Sequence, residues 1–267
     1  MAETLIWTLG VFLLGLMVGS FLNVVIHRTP RGENIAWPGS HCPKCGENLR
    51  WYHNVPFLSW IALGGRCAFC REPISVRYPL VELLNGLLWA ALYLKLAPQL
   101  QNHIDVAGLL YFLLIAATFS ALLALSMIDF EYLAVPDSIN FFALVTALLA
   151  AAAHAWQVGD WGIALQALRD AAIAAGGLWL LAWLIGKATG KEAMGGADVI
   201  VAGTMAALLG LVGFFVALFL SAILAIVPSL LARDTIIPFV PFLALGTLIL
   251  YLLDRPIYHL LERLIYG

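Results

Sequence analysis

The chain has 267 residues, of which 63% are hydrophobic and only 11% are charged. A soluble domain carries roughly a quarter charged residues, so this composition excludes a water-soluble protein and indicates an integral membrane protein. The formal net charge of -2 gives no sign of nucleic-acid binding, and we expect no nucleic-acid partner.

The first apolar run covers residues 5–26. It is long enough to cross a membrane, since a spanning helix needs about 20 mostly apolar residues. No basic segment precedes this run, and no convincing cleavage site follows it. We therefore interpret residues 1–26 as a retained transmembrane helix rather than a signal peptide.

The later apolar runs predict an all-α, polytopic membrane protein with about eight transmembrane helices. The run at 199–231 is too long for one crossing at about 1.5 Å per residue, and we expect it to divide at 210–213. The other predicted spans are residues 80–96, 106–128, 139–156, 168–185 and 238–253. Residues 79–254 would form a transmembrane core, and residues 255–267 a short amphipathic tail.

Residues 27–78 form the one sizeable extramembrane module that the sequence predicts. This segment holds seven of the fourteen Lys and Arg residues and all four cysteines, which form two C-x-x-C pairs. Two such pairs favour a zinc-ribbon-like insertion that binds a structural zinc ion, because each pair presents two sulfurs to one metal. The proposed ligands are Cys42, Cys45, Cys67 and Cys70. A redox or disulfide role and unbound thiols are the alternatives.

The distribution of basic residues predicts the topology. The loops at 27–78, 129–138, 186–198 and 232–237 alternate with those at 97–105, 157–165 and 210–213. Every loop of the first set except 129–138 contains Lys or Arg, and no loop of the second set does. Because basic loops stay in the cytoplasm, both termini are expected outside. Asp129 and Asp198 would then both lie at the cytoplasmic boundary of the membrane.

These two aspartates are the candidate catalytic pair. Each lies at the end of a different predicted helix, and an acid at the hydrocarbon boundary is costly unless it is solvated or paired. Two carboxyl groups held close share a proton and can activate a water. The glycines at 195 and 196 would let a substrate backbone approach Asp198, since they carry no side chain.

Several segments carry a resemblance to a known family. They are Met127-Ile128-Asp129, Val135-Pro136-Asp137, residues 191–198 (KEAMGGAD), residues 19–28 (GSFLNVVIHR), residues 77–82 (RYPLVE), residues 237–242 (IPFVPF) and the two cysteine pairs. Together they resemble the type IV prepilin peptidase family of membrane aspartic proteases. The resemblance covers nearly the whole chain.

This resemblance implies an enzyme of the bacterial cytoplasmic (inner) membrane that cleaves the basic leader from prepilins and pseudopilins. It also implies N-methylation of the new N-terminus with S-adenosylmethionine as the methyl donor, and catalytic roles for Asp129 and Asp198. One position departs from the family pattern, in which a glycine precedes the second aspartate. Here the residue is Ala197, which would be strained if the position required a positive φ.

Two other function classes are compatible with the residues alone. Membrane acids also serve in proton relays and transporters, although no predicted span between residues 106 and 231 has a charge at its centre. A zinc-containing membrane scaffold that only binds a partner is the third possibility. Replacing either aspartate with asparagine separates these functions, since a scaffold would tolerate both changes.

Overall fold

The computed structural model describes residues 2–102, 105–190, 195–231, 237–254 and 257, and the described chain is helical without extended strands. Six of its helices are long and apolar enough to cross a membrane. The principal helices are α1 (Ala2–Arg28), the short α2 (Leu58–Ala62), α3 (Arg77–Asn102), α4 (Val106–Tyr132), α5 (Asp137–Val158), α6 (Gly162–Thr189), α7 (Gly196–Leu231) and α8 (Val240–Leu252). The predicted all-α membrane architecture is confirmed.

The chain divides into two compact units, residues 1–97 and 98–267. The first unit contains α1, the cysteine module and most of α3. The sequence alone groups this second spanning helix with the core at 79–254, whereas in the structure it packs with the first helix.

Glycines allow α1 and α3 to pack against each other closely. A Cβ added at Gly15 would lie 2.9 Å from the Gly86 Cα, and one added at Gly19 would lie 2.7 Å from the Glu82 Cα. The Asn85 side chain also donates a hydrogen bond to the Gly15 carbonyl at 2.7 Å. Small residues spaced four apart bring membrane helices together in this way, and here the two helices run antiparallel.

The second unit contains α4 to α8. Within it α5 packs against α4, α6 and α7, while α8 packs against α4 and α7. Alanines form much of the buried surface, including Ala143, Ala147 and Ala150 on α5. Small side chains on this face let several helices approach α5 at once.

The helix α7 is broken at Gly210, which has φ +70° and ψ 173°. A straight helix of 36 residues would extend about 54 Å, well beyond a hydrocarbon core of about 30 Å. The part after Gly210 instead lies beside α8, since a Cβ at Gly246 would lie 2.8 Å from the Ala217 carbonyl oxygen. The predicted division of this run is therefore confirmed, and we call its two parts the first arm (196–209) and the second arm (211–231).

The helix ends differ from the predicted ones by a few residues. The first helix extends to Arg28 and α3 begins at Arg77, so the loop between them is shorter than residues 27–78. Asp129 lies inside the last turn of α4 rather than after the helix. The predicted tail at 255–267 lies outside the described residues except for position 257.

Candidate active site

Asp129 is held near the C-terminal end of α4 by contacts on both its side chain and its backbone. Its side chain is buried, with 7% of its surface exposed, and its Oδ2 accepts a hydrogen bond of 3.1 Å from the backbone N–H of Val240. Its carbonyl accepts the N–H of Leu133, which ends α4 in a left-handed conformation. The start of α8 thus fixes the orientation of this carboxylate.

Asp198 is positioned by the first turn of α7. Its backbone N–H donates to the Gly195 carbonyl at 3.2 Å, and the side chain is half-buried. The preceding carbonyl, that of Ala197, accepts a hydrogen bond of 2.9 Å from the side chain of Asn140 on α5. The helix α8, whose start binds Asp129, also packs against α7, which carries Asp198.

The turn before Asp198 is open on one side. Gly195 and Gly196 are both exposed. Among the described residues, nothing lies within 4 Å of a Cβ added at Gly196, and only the Asp198 Oδ2 lies within that distance of one added at Gly195, at 3.7 Å. The two glycines do not have a positive φ, and Ala197 does not have one either. The alanine is therefore not strained, and the glycines leave free surface next to the carboxylate.

The four cysteines lie together in the first unit. Their sulfur atoms are all within 4.8 Å of one another, and the Cys42 and Cys70 sulfurs are 3.9 Å apart. A tetrahedral zinc ion with Zn–S bonds of about 2.3 Å places its sulfurs roughly 3.8 Å apart. The cluster therefore fits a zinc ion, and with four protein ligands it leaves no open position for chemistry.

Two similar turns build this cluster. In the first, the Gly46 N–H donates to the Cys42 carbonyl, and in the second the Arg71 N–H donates to the Cys67 carbonyl. The residue after each C-x-x-C pair is left-handed, with φ +73° at Gly46 and +61° at Arg71. Each turn is closed by a short antiparallel bridge, His41 with Asn48 and Arg66 with Pro73.

Local hydrogen bonds prepare one sulfur to bind metal as a thiolate. The backbone N–H groups of Cys70 and Phe69 lower the pKa of the Cys67 thiol to about 7. For Cys70, the Glu72 backbone lowers the pKa, but burial and hydrogen bonds with the neighbouring sulfurs outweigh it and raise the pKa to about 12. Four adjacent thiolates repel each other, and a divalent cation would remove that repulsion.

Comparison with known proteins identifies the family. The model of the bacterial peptidase A24 N-terminal domain matches residues 13–96, and that of the type IV leader peptidase family matches residues 116–230. A prepilin leader peptidase/N-methyltransferase of Burkholderia pseudomallei is 35% identical over 284 residues, covering 93% of this chain and 86% of the relative. The chain belongs to the type IV leader peptidase family.

Two further relatives of the type IV leader peptidase family carry the same name. The protein of Pseudomonas aeruginosa is 34% identical over 281 residues, and the match covers 92% of this chain and 90% of the relative. That of Myxococcus xanthus is 41% identical over 192 residues, which is 70% of this chain but only 51% of the relative. No solved structure matches the chain. As a member of this inner-membrane family, the chain is a multi-pass protein of the bacterial cytoplasmic membrane.

The structure adds site residues of this family member that the sequence analysis does not select. Asn140 is fully buried on α5 and anchors the turn that precedes Asp198, and Val240 supplies the N–H that binds Asp129. A buried amide in an apolar helix is a signal that could have identified Asn140. No side-chain property could have identified Val240, because it acts through its backbone.

Two buried charged residues tie the cysteine module to its flanking helices. Glu82 on α3 accepts a hydrogen bond of 2.7 Å from the Phe57 N–H. Arg28 at the end of α1 donates to the carbonyls of Asn34 and Pro38. Neither residue is selected by the C-x-x-C pattern, and both show how the module is attached to its own unit.

Proposed function

We propose that this chain cleaves the leader peptide of type IV prepilins and pseudopilins at the cytoplasmic face of the membrane, with Asp129 and Asp198 as the catalytic pair. The chain is a prepilin leader peptidase/N-methyltransferase by family. The observation that supports the assignment of the pair is that α8 binds Asp129 through the Val240 N–H and also packs against α7, the helix that carries Asp198.

The geometry supports an acid–base mechanism for peptide hydrolysis. The Val240 N–H holds Oδ2 of Asp129, which fixes the orientation of a carboxylate that can bind the attacking water. Two carboxyl groups in this relationship share one proton. One carboxylate takes a proton from the attacking water, while the other carboxyl group donates its proton to the carbonyl of the scissile bond.

The open turn at Gly195 and Gly196 is the proposed approach for the substrate backbone. Both residues are exposed and lack side chains, and no atom of the described residues lies within 4 Å of a Cβ added at Gly196. An extended peptide can therefore come close to the Asp198 carboxylate. A prepilin has a basic leader followed by an apolar helix, which would place its scissile bond at the membrane boundary.

The cysteine cluster is the proposed site of one structural zinc ion. Cys42, Cys45, Cys67 and Cys70 would hold it, and zinc would stabilise a module that has little hydrophobic core of its own. N-methylation of the new N-terminus would use S-adenosylmethionine, which supplies the methyl group. We assign no residue of this chain to the methyl donor.

The test is cleavage of a model prepilin by the full-length protein in lipid. Asp129→Asn and Asp198→Asn should each lower the cleavage rate roughly 10²- to 10⁴-fold, the range for loss of an acid–base group. Asp137→Asn is a matched control, because Asp137 is exposed at the start of α5. Wild-type cleavage by Asp198→Asn would exclude the proposed pair.

Methylation is measured separately, on a pilin peptide that already has the mature N-terminus. The mass of the product reports whether a methyl group has been added. Both asparagine variants should retain this activity, since the aspartates are assigned to hydrolysis alone. Retained methylation also shows that the variants are folded, so that a loss of cleavage can be assigned to chemistry.

A further inference from the structure

A polar chamber of about 250 Å³ lies in the second unit, away from the aspartate pair. Its wall includes Tyr111, which lies about 27 Å from Asp129 along α4 at 1.5 Å per residue. Tyr251 at the far end of α8 also lines it, as do the last residues of the first arm of α7. The chamber is thus at the opposite end of the helix bundle from the proposed active site.

Asp170 lines the chamber, and the neighbouring Arg169 pairs with it. Asp170 is 2% exposed; its Oδ1 accepts hydrogen bonds from Nε and Nη2 of Arg169 at 2.9 and 2.7 Å. Its Oδ2 accepts the N–H of Leu211, just after the break in α7, at 3.3 Å. Ionised residues buried at membrane depth are rare and often mark a site. Arg169 is 60% exposed, so its guanidinium lies at the rim.

The remaining polar groups supply hydrogen-bond acceptors. The hydroxyls of Tyr111 and Tyr251 are 3.1 Å apart, and His154 stacks on Tyr111 with ring centroids 4.8 Å apart. The Nδ1 of His154 is buried without a hydrogen-bond partner in the described structure. Residues 206–209 end the first arm of α7 in this wall, and a helix C-terminus presents carbonyl oxygens and partial negative charge. These groups favour an ammonium group.

Exposed tryptophans place the mouth of the chamber near the lipid headgroups. Trp156 and Trp161 flank the turn between α5 and α6, and both are more than half exposed. Tryptophan is enriched at the level of the headgroups. The chamber lining begins at Ile163, one turn or less beyond Trp161, and continues inward to Asp170. A headgroup can therefore enter from the adjacent leaflet.

We propose that this chamber binds the headgroup of a zwitterionic phospholipid that carries a primary ammonium, as in phosphatidylethanolamine. The ammonium would lie among the carboxylate of Asp170, the two phenol oxygens and the carbonyls of the first arm. The phosphate would lie at the rim on Arg169, whose Nη1 is not used by the pair with Asp170.

The test measures lipid binding to the purified full-length protein by native mass spectrometry. Phosphatidylethanolamine and phosphatidylcholine with the same acyl chains are titrated in parallel. The two headgroups have the same charges, but the trimethylammonium group of phosphatidylcholine has no N–H donors. We expect phosphatidylethanolamine to bind at least about tenfold more tightly, a factor that corresponds to about 1.4 kcal/mol. Equal binding of the two lipids would overturn the proposal.

Two variants connect this preference to the chamber. Ala151→Leu fills space in the lining and should abolish the preference. Arg169→Gln removes the contact to phosphate and should weaken the binding of both lipids, because both carry the same phosphate. Lys187→Gln is the matched control, because Lys187 is a cation at the other end of α6, stacked on Trp183, and it should keep the preference. A preference that persists in Ala151→Leu, or unchanged lipid binding in Arg169→Gln, would assign the lipid to another surface and refute the site.

The variants must remain folded for this comparison, and prepilin cleavage at the wild-type rate shows that they are. Asp170→Asn is not used, because Asp170 also binds the backbone of Leu211 and its loss can unfold the turn. Soluble phosphoethanolamine is added as a competitor. Competition at the affinity of the lipid would show a site for the free headgroup and would reject the lipid assignment.

Discussion

The backbone N–H of Val240 donates a hydrogen bond to Oδ2 of Asp129 at 3.1 Å, across 111 positions of sequence. This contact joins the end of α4 to the start of α8 and fixes the orientation of the carboxylate. A backbone donor holds the side chain without adding a second titratable group. The other aspartate is held differently, because the anchor for its turn is the side chain of Asn140.

Asn140→Ala should lower prepilin cleavage at least about tenfold and reduce the free energy of unfolding by about 1–3 kcal/mol, since the Ala197 carbonyl loses its donor. Thr146→Ala is the control: Thr146 is also buried on α5 and bonded to a neighbouring helix, through Thr118. It should reduce stability without a comparable fall in cleavage. Cleavage rate and chemical denaturation measure the two effects. Equal losses of cleavage in both variants would contradict a specific role for Asn140.

Gly196→Val should raise the KM for prepilin more than it changes the melting temperature. The added side chain enters open space, so it would obstruct an approaching substrate rather than the fold. Gly177→Val on α6 also enters open space but lies away from the aspartates in sequence, and it serves as the control. Steady-state cleavage of a prepilin peptide gives KM and kcat for each variant. An unchanged KM in Gly196→Val would indicate that substrate approaches from another side.

Gly19→Ala should destabilise the first unit by about 1–3 kcal/mol, because the new methyl group overlaps the backbone of Glu82 in a close-packed contact. Gly10→Ala on the same helix meets nothing within 4 Å. It should instead stabilise α1 by about 0.5–1 kcal/mol, through the higher helix propensity of alanine. The melting temperatures of both variants and of wild type, measured in the same detergent, test whether Gly19→Ala lowers stability and Gly10→Ala raises it. A loss of stability in Gly10→Ala as large as that in Gly19→Ala would contradict it.

Gly46→Ala should weaken zinc binding, because a Cβ in the left-handed conformation costs about 1–2 kcal/mol, which corresponds to a loss of roughly five- to thirtyfold in affinity. Arg71→Gly should preserve or improve binding, since it removes a Cβ at the equivalent position of the second turn. Competition with a chromophoric chelator measures the two affinities. Tighter binding by Gly46→Ala than by wild type would reject the strained-turn explanation.

Removing zinc should expose the cysteine module while leaving the second unit folded. Cys45→Ser and Cys70→Ser each remove one sulfur from the closed set of four, so metal content should fall from one ion per chain to near zero. Hydrogen exchange should increase in residues 40–76, and exchange in α4 and α5 should not change. Full zinc occupancy in both serine variants would exclude the four-cysteine site.

The sequence alone determined the membrane class, the spans and the choice of candidate residues. A composition with 11% charge cannot cover a soluble surface, and apolar runs of sufficient length predict spanning helices because water is absent from the bilayer core. The two C-x-x-C pairs predicted the cysteine cluster, since a pair held in one turn must bring its sulfurs together. The long run at 199–231 had to divide because its helix would exceed the thickness of the membrane.

The tertiary structure decided the surroundings of those residues. Val240 acts through a backbone N–H, and Asn140 acts across helices, so neither role can be found in a local pattern. The conformation of Ala197 also required coordinates: it is helical, so the alanine that replaces the family glycine carries no strain. The chamber is formed by residues from five separate helices, α4 to α8, including the break in α7 at Gly210. Hydropathy specifies which segments enter the membrane, but packing between distant segments determines which polar groups meet inside it.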